Sequence, residues 1–145
     1  VGSGGVGIAA QQLMGLRGQK TMTTASHPRK RWFVRNMNLS QHAMESGSLQ
    51  FVQESTLMGG SGGVGLILNS LTSTGMIPGS LAMLAKGGRV VELSKRGIWN
   101  EKSVEQERTD ATYAVLSSEA TLPAAKKASI AKLAVLLANG TISPL

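Results

Sequence analysis

The chain opens on a glycine run, Val1-Gly-Ser-Gly-Gly-Val-Gly7, in which Gly2, Gly4 and Gly7 satisfy GxGxxG. Apolar residues follow at Ile8, Ala9, Leu13 and Leu16, near a 3.6-residue period, so the spacing predicts a helix over Val6 to Leu16 that starts inside the run. Gly18 is placed to end it as a C-cap residue. In this motif the first glycine makes a tight turn, the second lets the backbone approach a pyrophosphate, and the third permits close helix–strand packing. The open N–H groups of the helix N-terminus then face the anion. An ordinary glycine turn satisfies the same pattern, so the motif alone does not decide. The hexapeptide GSGGVG recurs at 60–65, but there it leads into Leu66-Ile67-Leu68, which reads as a strand. We read the repeat as coincidental and weigh both copies as phosphate loops, the second less because no helix follows it.

Beyond the loop the signals alternate. Thr21 to Ala25 is short and β-branched and predicts a buried strand; Pro28 starts a helix through about Met37, at a position where its missing N–H costs nothing. Ser48 to Met58 reads as a helix with Leu49, Val52 and Leu57 inward. Val64 to Leu68 reads as a strand, Ile77 to Leu84 as a helix and Gly88 to Leu93 as a strand. Lys102 to Arg108 reads as a weak helix, Thr112 to Leu116 as a strand, and Pro123 to Leu137 as an amphipathic helix ended by Asn139-Gly140. Strands alternating with helices imply a parallel sheet covered on both faces, and right-handed crossovers make it doubly wound. The expectation is an α/β, Rossmann-like dinucleotide-binding domain over 1–145. The strand that should precede the glycine loop lies outside the chain; it would be central in the sheet, so its loss would expose two edges.

A chain of 145 residues, 41% of them hydrophobic, can bury one core. It contains no cysteine, which excludes disulfides and thiolate zinc sites and is compatible with a cytoplasmic location. His27 and His42 stand too far apart to suggest a metal site; His27 is placed to touch a cofactor phosphate, and His42 reads as structural. Trp32 and Trp99 lie on helix patterns and read as core or interface residues. No apolar stretch is long enough to span a membrane, and the N-terminus lacks a signal-peptide layout. The net charge of +7 is dispersed except for Arg29-Lys30-Arg31 and Arg35, and nucleic-acid-binding motifs are absent. A compact phosphate ligand accounts for that patch better than a nucleic acid does.

The position of the patch matters. A domain that binds NAD places Asp or Glu at the end of the strand after the first helix, to hold the ribose hydroxyls. Here that strand ends in Ala25-Ser-His-Pro-Arg-Lys-Arg31, where a hydroxyl and three cations replace the carboxylate. Such a set suits a 2′-phosphate through charge-assisted hydrogen bonds, and so points to NADPH. The competing reading is a solvated first helical turn, although cations there oppose the helix dipole.

The segments GSGGVGIAAQQL, TTASHPRKR, LILNSLTSTGM, SLAMLAKGGRVVELSKRGIW and NGTISPL occur in an order and spacing that resemble the medium-chain reductases, and among these the enoyl reductase domains of polyketide synthases. The resemblance implies that Gly4, Gly5, Val6 and Gly7, with Gly2 of the same motif, line the pyrophosphate. Ser26 and Lys30, with Arg31 beside them, would hold the 2′-phosphate, and Ser46 would lie near the adenosine ribose. Asn69, Ser70 and Leu71 would approach the nicotinamide. Lys95 matches a lysine proposed in that family to assist protonation of the reduced intermediate, a sensible task for an ammonium beside a developing enolate; a solvated loop cation is the plain alternative. Glu119 is the carboxylate nearest the register of an acidic partner for that lysine. Two departures stand out: Gly97 replaces a usual Asp, and Gly65 replaces a commonly acidic residue.

By the same resemblance the substrate is an enoyl thioester on an acyl carrier protein, and the chain is a fragment of a multifunctional synthase. Its partners would be neighbouring synthase domains, with dimerisation through the parent. The substrate domain would come mostly from residues before Val1. A quinone oxidoreductase of the same superfamily and a non-catalytic scaffold module are the alternatives.

Overall fold

In the computed structural model residues 2–60, 62–117, 119 and 121–144 are described. Six helices and five strands follow one another in these residues: α1 (Gly5–Gly15), β1 (Met22–Thr24), α2 (Pro28–Asn36), β2 (His42–Met44), α3 (Gln50–Gly59), β3 (Val64–Asn69), α4 (Met76–Ala82), β4 (Leu84–Glu92), α5 (Glu101–Glu107), β5 (Thr112–Val115) and α6 (Pro123–Ala138). The chain forms two compact units. One joins Val1–Ala43 to Ser117–Leu145, and the other is Met44–Leu116. The strands lie in two sheets, β1-β2 and β3-β4-β5, and the second is parallel throughout. Alternating helices and parallel strands make this the expected Rossmann-like α/β fold.

In the first unit α1 starts at Gly5, inside the glycine run, and ends at Gly15, with Gly18 closing the turn beyond it. That glycine has φ +66°, its N–H reaches the Gly15 carbonyl and the Gln19 N–H reaches Met14. This 6→1 and 5→2 pairing around a left-handed glycine is a Schellman stop. Pro28 occupies the first turn of α2, and His27 Nδ1 caps it by accepting from the Arg29 N–H. His27 is therefore a helix cap here, and Trp32 is largely exposed on α2. Helix α6 forms as the sequence predicts, but its apolar residues make no buried face: Ile130 and Val135 are 66% and 62% exposed.

In the second unit Ile77, Leu81, Leu84, Val90, Val104 and Tyr113 form the core, with Ile67, Trp99 and Ala111 packed on it. Trp99 lies in the loop before α5, not on a helix. Two expectations need correction. Leu84 belongs to β4, which follows α4 after the single capping residue Met83. Helix α3 buries Phe51 and Ser55, whereas Leu57 is 85% exposed. The second glycine cluster is a tight entry to β3. Gly63 has φ +71°, and a Cβ on it would meet the Ala85 backbone at 2.7 Å.

Arg108 ties the end of α4 and the amino end of β4 to the loop before β5. Its guanidinium donates to the carbonyls of Leu81, Leu84 and Ala85 and grips Asp110 bidentately at 2.7 and 2.8 Å. Asp110 also accepts from the Gly87 N–H. Arg108→Ala leaves three carbonyls without this donor and is expected to destabilise the fold by roughly 1–3 kcal/mol, read by denaturant melting. Arg108 and then Gly87 hold the Asp110 carboxyl well below the usual carboxylate range. A depressed folded-state pKa contributes stability above the unfolded value near 4, and loses it as pH falls further. The stability gap between the parent and Asp110→Asn should therefore be full at pH 7 and shrink below about pH 4.

Candidate functional site

Candidate site residues lie in each of the two units. In the first, Gly4 is the N-cap of α1 in an extended conformation (φ −93°, ψ 171°), and no side chain caps the helix. The first-turn N–H groups of Gly5, Val6 and Gly7 are thus left to a ligand or water, as an anion site needs. The loop is held from both sides. Gly2 N–H donates to the Thr24 carbonyl at the end of β1, and a Cβ on Gly2 would meet Thr23 Oγ1 at 1.6 Å, so only glycine fits. Buried Gln11 donates through Nε2 to the carbonyls of Gly2 (2.6 Å) and Gly7 (3.0 Å), clamping the loop from the helix side.

Just beyond β1 the chain turns outward at Ser26, and Ser26, Arg29 and Lys30 are exposed. Arg31 is different. Its Nη1 donates to the carbonyls of Ala25 (2.9 Å) and Ser26 (3.2 Å), so it braces the turn that carries Ser26. Further along α2, Arg35 donates to the Ala43 carbonyl. The dense basic patch thus divides into cations that hold the backbone and cations that face outward. An apolar hollow elsewhere in this unit, along α1 and the tail, is lined by Ala9, Leu13, Leu137, Ile142 and Pro144. Its polar members, Gln12 and Ser143, are bonded to each other in both directions. Glu119 is exposed and accepts from Ser117 Oγ at 2.7 Å.

In the second unit the interest lies at the carboxyl ends of β3 and β4, where doubly wound sheets bind their ligands. Parallel register sets Asn69 beside Glu92. Asn69 Nδ2 donates to Glu92 Oε2 at 2.6 Å and to the Leu71 carbonyl at 3.2 Å, while Asn69 Oδ1 accepts from the Leu71 N–H at 3.2 Å. Asn69, Ser70 and Leu71 are therefore one braced turn, and Ser70 Oγ is buried in it with no hydrogen-bond partner. Glu92 is 0% exposed, and its other oxygen accepts from the Ser94 N–H at 2.8 Å, next to Lys95. Tyr113 is buried nearby. Its hydroxyl meets no regular hydrogen-bond geometry, and burial first, then the Glu92 charge, pushes its pKa up.

Lys95 is exposed on the loop after β4, and Ser46 is half-buried on the loop after β2. Gly97 explains one departure from the family pattern. It has φ +66°, and a Cβ there would lie 3.2 Å from Thr72 Oγ1, so an aspartate would be strained in this loop. Gly65 sits within β3 with open space around it. Neither Glu92 nor Gln11 stands out in the sequence as a site residue. The one available signal for Glu92 is a carboxylate inside an otherwise apolar strand, Val90-Val91-Glu92-Leu93. Among the described residues no His, Asp or Glu cluster could hold a metal, and no helix is long and apolar enough to cross a membrane.

No family model matches the chain. It is 36% identical over 100 residues to the phthioceranic/hydroxyphthioceranic acid synthase of Mycobacterium tuberculosis, an alignment covering 69% of this chain and 5% of that protein. The chain thus spans about a twentieth of the length of the curated relatives it matches first. Among solved structures, the CurK enoyl reductase superposes with a TM-score of 0.91 at 34% identity, over 99% of this chain and 43% of that one. The nucleotide-binding subdomain of the enoylreductase domain of PpsC from M. tuberculosis superposes with a TM-score of 0.84 at 26% identity, over 99% and 82%. The glycine loop on α1, the braced Asn69–Leu71 turn and these likenesses together place the chain in the medium-chain reductase superfamily: it belongs to the enoyl reductase domains of polyketide synthases, as their nucleotide-binding part.

Proposed function

We propose that the chain is the NADPH-binding part of an enoyl reductase that reduces the α,β-double bond of an enoyl thioester carried on an acyl carrier protein. The observation that carries this reading is the open N-terminus of α1 in a loop bonded to β1, the strand whose exit presents Ser26 and Lys30 where NAD-specific domains place a carboxylate. Enoyl reductases among the solved relatives support the substrate class. Neighbouring synthase domains are the natural partners of such a segment, the cytoplasm its setting, and dimerisation through the parent synthase its assembly.

The residues present fit the cofactor. Open N–H groups at Gly5, Val6 and Gly7 suit the pyrophosphate, Ser26 and Lys30 suit the 2′-phosphate, and the orphan Ser70 hydroxyl offers a polar contact at the nicotinamide end. Gly2 and Arg31 shape the loops that carry these groups, and Ser46 is assigned to the ribose. Bound NADPH supplies a hydride equivalent for the β-carbon of the thioester. The Lys95 ammonium would stabilise the enolate that results and donate a proton toward its α-carbon, with Glu119 as the proposed acidic partner.

Calorimetric titration of the chain with NADPH and with NADH should show clear preference for NADPH. Lys30→Ala should weaken NADPH binding about tenfold and leave NADH unchanged. Arg31→Ala should weaken both, because it loosens the Ser26 turn. A folded chain that binds neither nucleotide would favour the scaffold reading. In the complete reductase, Lys95→Met should lower kcat by roughly a hundredfold with cofactor affinity unchanged, read by steady-state NADPH oxidation.

A further inference from the structure

The Glu92 carboxylate is fully buried at the carboxyl end of β4. Taking a carboxylate out of water is costly unless its oxygens are hydrogen-bonded. A strand end buried in a core would be satisfied by an apolar or amide side chain at lower cost. Here both oxygens are used, and neither partner lies within the strand. Oε2 accepts from Asn69 Nδ2 at 2.6 Å, and Oε1 accepts from the Ser94 N–H at 2.8 Å. The first partner sets the turn that presents Ser70 and Leu71. The second opens the loop that presents Lys95 and reaches Gly97, whose backbone lies against Thr72.

We infer that Glu92 is a positioning residue, a single carboxylate that locks the Asn69–Leu71 turn and the Lys95 loop into one rigid nicotinamide-facing edge before the cofactor arrives. The inference deepens the proposed NADPH site and rests on that reading. The acceptor character of Glu92 orients the Asn69 amide: with Nδ2 committed to Glu92, Oδ1 must face the Leu71 N–H, as it does. The amide cannot flip without placing its oxygen against the carboxylate. The orphaned Ser70 hydroxyl, held inside this braced turn, is the group left over for a ligand. A positioning edge of this kind stabilises binding of the nicotinamide half alone and leaves the adenosine half to the glycine loop and the basic turn.

The test is a comparison of two ligands on the chain and on Glu92→Gln. The substitution keeps shape and the acceptor for Ser94, but sets an amide N–H₂ against Asn69 Nδ2. NADPH affinity should fall about tenfold, while affinity for 2′,5′-ADP, which lacks the nicotinamide half, should stay within about twofold. Equal affinities for NADPH in parent and variant, or equal losses for both ligands, would overturn the positioning role. A parent chain that binds neither ligand would overturn the site reading itself, a different result. Amide hydrogen exchange on the parent needs no variant to fold: Leu71 and Ser94 should be protected in the ligand-free chain, and exchange at the rate of open loop amides would contradict a preformed edge.

Discussion

The parallel register of β3 and β4 places Asn69 next to Glu92, and much of the second unit's chemistry depends on that neighbourhood. A buried carboxylate is tolerable only where it is fully hydrogen-bonded. Because the two residues meet at the carboxyl ends of their strands, the bonds that satisfy Glu92 also shape the turns leaving the sheet. One requirement of burial thus becomes a requirement on loop geometry. The amino end of β4 is held separately by Arg108, through the carbonyls of Leu81, Leu84 and Ala85 and through Asp110.

The first unit solves a different problem with different means. A phosphate site needs backbone N–H groups that are open yet fixed in place. Glycine supplies openness, since the helix starts without a side-chain cap. Fixation comes from Gln11 across the loop and from Gly2 bonding to β1. The basic turn repeats the division of labour. Arg31 and Arg35 hold carbonyls, while Ser26 and Lys30 remain exposed toward solvent. A count of charge alone would have treated these cations as equivalent.

Much of this was legible in the residues, for physical reasons that differ by element. The glycine-to-helix entry, the Gly18 stop and the Pro28 start are local backbone preferences, and each appears as read. The face of α3 was not legible. Ser55 is buried because its hydroxyl donates back to the Val52 carbonyl and meets the Met83 sulfur, a solution invisible to apolar periodicity. The early start of β4 was hidden too, since α4 passes into it without glycine or proline as punctuation. Glu92 was missed because its importance arises from a cross-strand partner 23 residues away. Gly97, a departure from the usual Asp, lies at a left-handed backbone position beside Thr72, which the residues alone did not reveal.

In the proposed binding mode the nucleotide lies with its phosphates on the first glycine loop and its 2′-phosphate at the turn after β1. Amide NMR of the isotope-labelled chain, titrated with NADPH, tests it most directly. The largest shifts are expected at Gly4 to Gly7, at Ser26 to Lys30 and at Ser70 to Leu71. Shifts centred instead on the second glycine cluster at 60–65, with the first loop unmoved, would contradict it.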